Sequence, residues 1–292
     1  MTDDRENWQD VPVARSYIRA RRIGIALQGF RKDAGLTLEQ VAAELSMNKS
    51  TISRIEAAQT VTRPQTVRMM LNLYGIQDKD EVERWAQLAK EAKTKDAWWS
   101  GFDLPNRLAD LVALETDAIS ISVYEASVVP GIAQTERYAR TIIEDQAPVP
   151  LTEAVINERV EIRMRRQERL VADVDPPQVA IILDDSVLQR SVGGPEVMKD
   201  QAQRLIELGH RPNITVQIAR IADGVHLALP GSVTLLEFND LMPASIYLDT
   251  VAGDLLIDAP EAIQRVQRAL KAIRSHALSP DESRRLLEIA AK

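Results

Sequence analysis

Cysteine is absent from the 292 residues. That excludes disulfides and thiolate metal sites and fits a reducing cytoplasm, the expected location. Aromatic residues are only 4% of the chain against 45% hydrophobic residues in all, so aliphatic packing must dominate its cores. Histidine occurs only at His210, His226 and His276, with none in an H-E-x-x-H or comparable ligand spacing. No metal, cofactor or catalytic residue is therefore expected, and the chain does not read as an enzyme. No apolar run reaches the ~18 residues of a membrane span, so no membrane partner is expected. The first residues, Met-Thr-Asp-Asp-Arg-Glu, are acidic and polar, unlike a signal peptide.

Negative charge dominates overall, but unevenly. The net charge is −7, yet residues 11–76 hold ten Lys/Arg against four acids. That local surplus of +6 leaves −13 on the rest. A basic head on an acidic body suits local phosphate binding, and the body repels DNA from the wrong face.

Within the head, Leu36–Glu56 reads as two short helices joined by a tight turn. Thr37 and Gln40 form a T-x-x-Q capping box, and Leu38, Val41, Ala42 and Leu45 share one helical face. Ser46-Met47-Asn48 makes the turn. Asn48 is placed to cap the second helix and Met47 to staple onto Ile52. Ile52 and Ile55 face inward, and Lys49, Ser50, Thr51, Ser53 and Arg54 face elsewhere. A short helix that is apolar behind and Lys/Ser/Thr/Arg in front suits a DNA major groove. Lys49, Ser50 and Arg54 are the candidates for base edges. Thr51, Ser53, Arg63, Arg19 and Arg22 are the candidates for phosphate oxygens; a solvated surface charge is an equal reading for Arg22. An all-α interaction module is the bland alternative for the whole head.

Around this pair, a helix is expected over about 18–34, with Ile23, Leu27, Phe30 and Ala34 inward and Gly35 as its stop. Pro64 opens a fourth helix with Val67, Met70, Leu71 and Tyr74 inward. Residues 78–95 read as a fifth, with Val82, Trp85, Leu88, Ala89 and Ala92 along one side. It finishes the small domain, connects to the next, or pairs in a dimer.

The head resembles the XRE, or lambda-repressor-like, helix-turn-helix domain. The resemblance rests on Arg31, Gly35-Leu36-Thr37, Val41-Ala42, Ser50-Thr51-Ile52-Ser53-Arg54-Ile55-Glu56 and the Pro64–Gly75 helix, about 65 residues in all. It implies that Arg31 pairs with Glu56 as a structural lock. The chain departs from the family at three places. Leu38 stands where glutamine is frequent, Ser46 where glycine is frequent, and Glu56-Ala57-Ala58 where Glu-Asn-Gly is frequent. A slightly strained turn is implied at Ser46.

The expected organisation is therefore a multidomain chain: an all-α helix-turn-helix domain over 12–76, a connecting helix and linker over 77–99, and an α+β domain with a mixed sheet over 100–292. Trp98-Trp99 near the boundary reads as a small local core rather than an inter-domain plug. In the second domain, strands are expected over 119–125, 178–183, 214–218, 232–238 and 245–248. Helices are expected over 135–143, 152–172, 195–209, 260–275 and 279–290. The elements mix without strict βαβ alternation.

This half resembles the WhiJ-like regulators of actinomycetes, and the match covers nearly the whole chain. Its motifs are Val129–Ala139, Val192–Met198, Arg211–Gln217 and Ala277-Leu278-Ser279-Pro280. The resemblance implies a homodimeric repressor on a double-stranded DNA operator, nucleoid-associated when bound, often working with a small acidic partner protein encoded nearby. The alternative it carries is an antitoxin-like protein that neutralises a cognate partner and autoregulates its promoter. It assigns no site residues to the second domain, which is expected to dimerise and to receive a protein or small-molecule signal.

Other motifs read as structure. Arg159, Arg163, Arg165, Arg166 and Arg169 alternate with Glu158, Glu161 and Glu168, so a solvated helix with internal ion pairs is favoured over a second nucleic-acid surface. Asp184-Asp185 reads as a turn and helix cap, and Gly193-Gly194-Pro195 as a plain turn. Ordinary sheet core is preferred over a ligand pocket for the Asp223–Leu227 loop and the strands ending at Phe238 and Tyr247.

Overall fold

The computed structural model describes residues 14–92, 98, 99, 101, 102, 104, 106–223, 231–239, 243–251 and 253–292. The chain divides into two units between Ala113 and Leu114. The first is helical: α1 (Ala14–Asp33), α2 (Leu38–Glu44), α3 (Lys49–Glu56), α4 (Pro64–Leu73) and α5 (Lys79–Glu91). The second carries a mixed sheet, as expected.

Local chemistry sets the helix ends of the first unit. Thr37 Oγ1 accepts from Gln40 N at 3.2 Å and Gln40 Oε1 accepts from Thr37 N at 2.8 Å, so the capping box is complete. Asn48 occupies the N-cap of α3 but makes no side-chain capping bond. After α1, Leu36 N donates to Arg31 O and Gly35 N to Lys32 O, the paired bonds of a Schellman motif, with Gly35 at φ +68°. Helices α2 and α3 end with the same two bonds, but Ser46 (φ +52°) and Ala58 (φ +57°) hold the left-handed position. A side chain there costs on the order of 1 kcal/mol. Two of the departures from the XRE pattern thus fall where backbone strain is stored.

Ile23, Leu27, Val41, Ala42, Ile52, Ile55, Val67, Met70, Leu71, Tyr74, Val82, Trp85 and Ala89 form one core, so α5 finishes the helical unit. Phe30 meets Trp85 edge-on at 6.2 Å. Ala34, expected on the inner face of α1, lies just past the helix end and is exposed. Gly24 lets α1 cross the end of α3: a Cβ there would stand 2.5 Å from Glu56 O and 2.8 Å from Ile55 O. Near the boundary, the Trp98 ring packs edge-on against Trp99 and Phe102, a local aromatic cluster.

The division between the units falls within α6 (Asn106–Asp117), a helix that the sequence reading did not place. The sheet of the second unit holds β1 (Ser120–Glu125), β2 (Gln178–Asp184), β3 (Ile214–Ala219), β4 (Val233–Glu237), β5 (Ser245–Leu248) and β6 (Leu255–Ile257). Their order is β3-β2-β1-β4-β5-β6, parallel across the first three and antiparallel from β1 outward. β6 was missed because it has three residues and its first, Leu255, is exposed. Helices α7 (Glu136–Asp145), α8 (Glu153–Glu168), α9 (Ser186–Gln189), α10 (Pro195–Gly209), α11 (Pro260–His276) and α12 (Pro280–Ala290) complete it. Ile263, Leu270 and Ile273 of α11 pack on Tyr124, Ile182, Leu235 and Ile246, one face of the sheet. The outer edge of β3 is blocked: Ile218 N donates to Ser283 Oγ and Leu278 N to Ile218 O, both at 2.9 Å. Such capping removes an open strand edge.

The arginine series on α8 is not a solvated face. Arg165 does pair with Glu161, but Arg166 is buried and bidentate with Glu115 at 2.7 Å, Arg163 bonds Gln134, and Arg169 reaches the carbonyls of Thr116 and Asp175. Partners outside α8, most of them tens of residues away, hold these charges in place. Of the two smaller motifs, Asp184-Asp185 turns the chain into α9, although Asp185 at its N-cap makes no side-chain capping bond. Asp184 accepts from Ser186 N at 3.0 Å and Asp185 from Ile221 N at 3.2 Å, and Gly193-Gly194 turn at positive φ into α10. Residues 224–227 of the Asp223–Leu227 loop, His226 among them, lie outside the described residues.

Glu125, at the end of β1, accepts a hydrogen bond from Ser232. Burial pushes its carboxyl up to about 7; Ser232 opposes the shift and Asp249 adds to it.

Two outcomes are expected. Gly24→Ala destabilises the helical unit by about 1–3 kcal/mol through overpacking. Gly29→Ala, exposed on the same helix with nothing within 4 Å of its Cβ position, is neutral or stabilising by up to ~1 kcal/mol. Thermal denaturation of both variants checks the pair; equal effects would refute the close crossing. For Glu125, a folded-state pKa above the unfolded one means stability present at low pH and lost as pH rises through about 7. The loss is on the order of 3 kcal/mol. The Tm of Glu125→Gln relative to wild type should rise by roughly 6–12 °C between about pH 5 and about pH 8; a constant difference would refute it.

Candidate nucleic-acid interface

The recognition helix candidate is α3, eight residues with two unlike faces. Ile52, Ile55 and Glu56 are buried, whereas Lys49, Ser50, Ser53 and Arg54 are exposed and Thr51 is half-buried. An isolated helix this short is unstable in water, so tertiary packing must hold it.

Its inner end is fixed by one buried ion pair. Arg31 Nε and Nη2 donate to Glu56 Oε1 and Oε2 at 2.7 and 2.8 Å, and Arg31 Nη1 donates to Leu36 O at 2.8 Å. One guanidinium thus ties the end of α1 to the end of α3 and to the turn before α2. The bidentate bond to Glu56 holds the Arg31 pKa above its ordinary value against the opposing cost of burial. Tyr74 lies near the pair; its hydroxyl is buried with no hydrogen-bond partner among the described residues, and burial pushes its pKa up. Removing one partner of a buried pair typically costs about 3–5 kcal/mol, because the other charge is left uncompensated.

On the exposed face, Lys49 Nζ forms an ion pair with Glu39 of α2, which the sequence reading did not anticipate. The side chains remain 59% and 61% exposed, and the Lys49 bond holds the Glu39 carboxyl below its ordinary pKa. Both residues stand at helix starts, ten positions apart in the chain, and only the fold shows that they meet. An exposed pair is worth ~0–1 kcal/mol, so a base or phosphate can compete for Lys49. Arg54 and Arg63 are exposed and make no ion pair among the described residues. Arg63 is also the N-cap residue of α4. Arg19 is half-buried on α1. Arg22 sets its guanidinium 5.9 Å from the Trp85 ring centroid, so packing within the unit occupies it. Arg68 of α4 is bidentate with Glu83 of α5 at 2.7 and 2.8 Å, bracing those helices on the surface.

In the second unit the two described histidines stand at the ends of separate helices. His210 caps α10 and His276 ends α11, where its Nδ1 bonds Ala272 O at 2.7 Å. No group of three or more metal-capable side chains stands together among the described residues. No described helix is long and apolar enough to cross a membrane.

Comparison with known proteins divides the chain along the same lines. Residues 22–85 match the helix-turn-helix domain, a span running from α1 through most of α5. That match supports a DNA-binding regulator rather than an enzyme. No curated protein and no solved structure matches the chain. Residues 108–289, more than half of the chain, match the family described as Domain of unknown function (DUF5753), and the chain belongs to that family.

Proposed function

We propose that the protein is a sequence-specific transcriptional regulator, a homodimeric repressor whose two heads each place α3 in a major groove. The observation that carries this reading is the division of α3: Ile52, Ile55 and Glu56 fixed in the core, and Lys49, Ser50, Ser53 and Arg54 presented outward. Arg54 and Lys49 are assigned to guanine O6 and N7, and Ser50 to neighbouring base edges. Thr51, Ser53, Arg63 and Arg19 are assigned to phosphates, with Arg22 joining them if it leaves Trp85. The Lys49–Glu39 pair opens when Lys49 meets DNA. Half-sites lie about one helical turn, or a multiple of it, apart.

The second unit is assigned dimerisation and signal reception, from a small acidic partner protein or a small molecule, and the signal alters operator affinity by changing head spacing. The WhiJ-like resemblance supports the repressor role and the partner. An antitoxin that neutralises a cognate protein rests on that resemblance alone. The location assigned is cytoplasmic, with nucleoid association following from DNA binding.

Arg54→Ala is expected to lower affinity for an operator selected from random DNA by about 10- to 100-fold, with helicity and Tm unchanged. Unchanged affinity in a gel-shift titration would refute the base contact. Sedimentation of the full chain should give a dimer; a monomer at micromolar concentration would refute the homodimer.

A further inference from the structure

Helices α10 and α12 meet over strand β3, and a cleft of about 130 Å³ opens between the three. Its apolar wall comes from Leu205 and Ile206 of α10 and Leu287 of α12, all buried. Gly209 keeps one side open. A Cβ there would stand 3.8 Å from Val216 Cγ2, in ordinary contact, and a longer side chain would occupy the cleft. The rim carries Asp281 and Arg284, and Arg284 Nη2 donates to Asp281 Oδ1 at 2.8 Å. That pair is exposed and neutral as a unit. An apolar cavity of roughly 150 Å³ takes up benzene, so this cleft suits a body the size of one ring.

Strand β3 meets the cleft with an unused backbone edge. Val179 N donates to Asn213 O at 2.8 Å and Asp185 N to Ala219 O at 2.9 Å, so the odd-numbered residues turn their backbone groups toward β2. Alternation along a parallel ladder sends those of Ile214, Val216 and Ile218 the other way. At Ile218 both groups are taken, the N–H by Ser283 Oγ and the C=O by Leu278 N. Ile214 N donates to Arg211 O at 3.1 Å. Val216 stands between them, lines the cleft and is 4% exposed. Neither its N–H nor its C=O has a hydrogen-bond partner among the described residues. Buried backbone groups are almost always paired, so this donor and acceptor, side by side, are a vacancy for a ligand.

The surroundings define what fits. A peptide strand would need the neighbouring edge groups too, and Arg211, Leu278 and Ser283 hold three of them. A lone donor or a lone acceptor would leave half of Val216 unpaired. A net charge would enter an apolar cleft whose rim charges already cancel, which is costly. A neutral amide with its N–H and C=O on one side meets every condition.

We propose that this cleft binds a small neutral lactam or primary carboxamide. Its C=O accepts from Val216 N, its N–H donates to Val216 O, and its hydrocarbon body lies against Leu205, Ile206 and Leu287. As the seat of a signal the site rests on the reading of the second unit as a receiver; as a binding site it stands apart from that reading.

The test uses the full chain, without DNA. ε-Caprolactam and benzamide are the probes, each at about 10 mM, an excess over a millimolar Kd. At least one should raise Tm by about 2 °C or more and move the Val216 amide proton downfield in a proton–nitrogen correlation spectrum. ε-Caprolactone, which matches the lactam but lacks its N–H, should bind about 5-fold more weakly or worse, as should benzoate against benzamide. Gly209→Leu should abolish the shift, with an unliganded Tm at or above that of wild type because the side chain fills existing space. If that variant folds poorly, the Val216 amide and the lactone comparison still decide. No shift from either probe, an unmoved Val216 amide, equal binding of lactone and lactam, or a shift that survives Gly209→Leu would overturn the proposal. Failure of the wild type to select an operator would strike the DNA reading and leave this one intact.

Discussion

The bidentate bond between Arg31 and Glu56 is the constraint on which the candidate DNA interface depends. Helix α3 has eight residues and no side-chain bond at its N-cap, so nothing within the helix itself keeps it folded or oriented. Its inner side chains Ile52 and Ile55 supply non-directional burial. Direction comes from Arg31, whose planar fork matches the carboxylate and whose remaining nitrogen holds Leu36 O, just before the capping box of α2. Both helices of the motif are thereby referred to α1. Gly24 is the steric half of the same arrangement, since any side chain there would collide with the carbonyls that end α3.

The exposed face of α3 follows from that anchoring. With Glu56 turned inward, the helical period sends Lys49, Ser50, Ser53 and Arg54 outward. The same logic of fixed charge recurs in the second unit with a different outcome. There Glu115 closes the charge of Arg166, while the neighbouring Arg163 is held by an amide alone.

What was legible in the sequence was local. Thr37 and Gln40 sit three residues apart, so their capping box can be read directly, and the core periodicity of α4 and α5 can be counted. The Arg31–Glu56 pair spans 25 residues and was reached through family resemblance, not spacing. Long-range partners account for the misses. Glu115 lies 51 residues before Arg166, so the α8 series was indistinguishable from a solvated charge run. Gly24 reads as a helix weakness until the crossing of α3 is known. The Lys49–Glu39 pair joins two helices whose relative angle no pattern specifies. β6 is short and half-exposed, which removes the alternation that marks a strand.

Dimethyl sulfate footprinting of the full chain on DNA selected from a random library tests the central claim most directly, because it reads guanine N7 in the major groove. The account predicts protected guanines in two half-sites about one helical turn, or a multiple of it, apart. Binding that leaves every guanine N7 reactive would contradict the placement of α3 in the major groove.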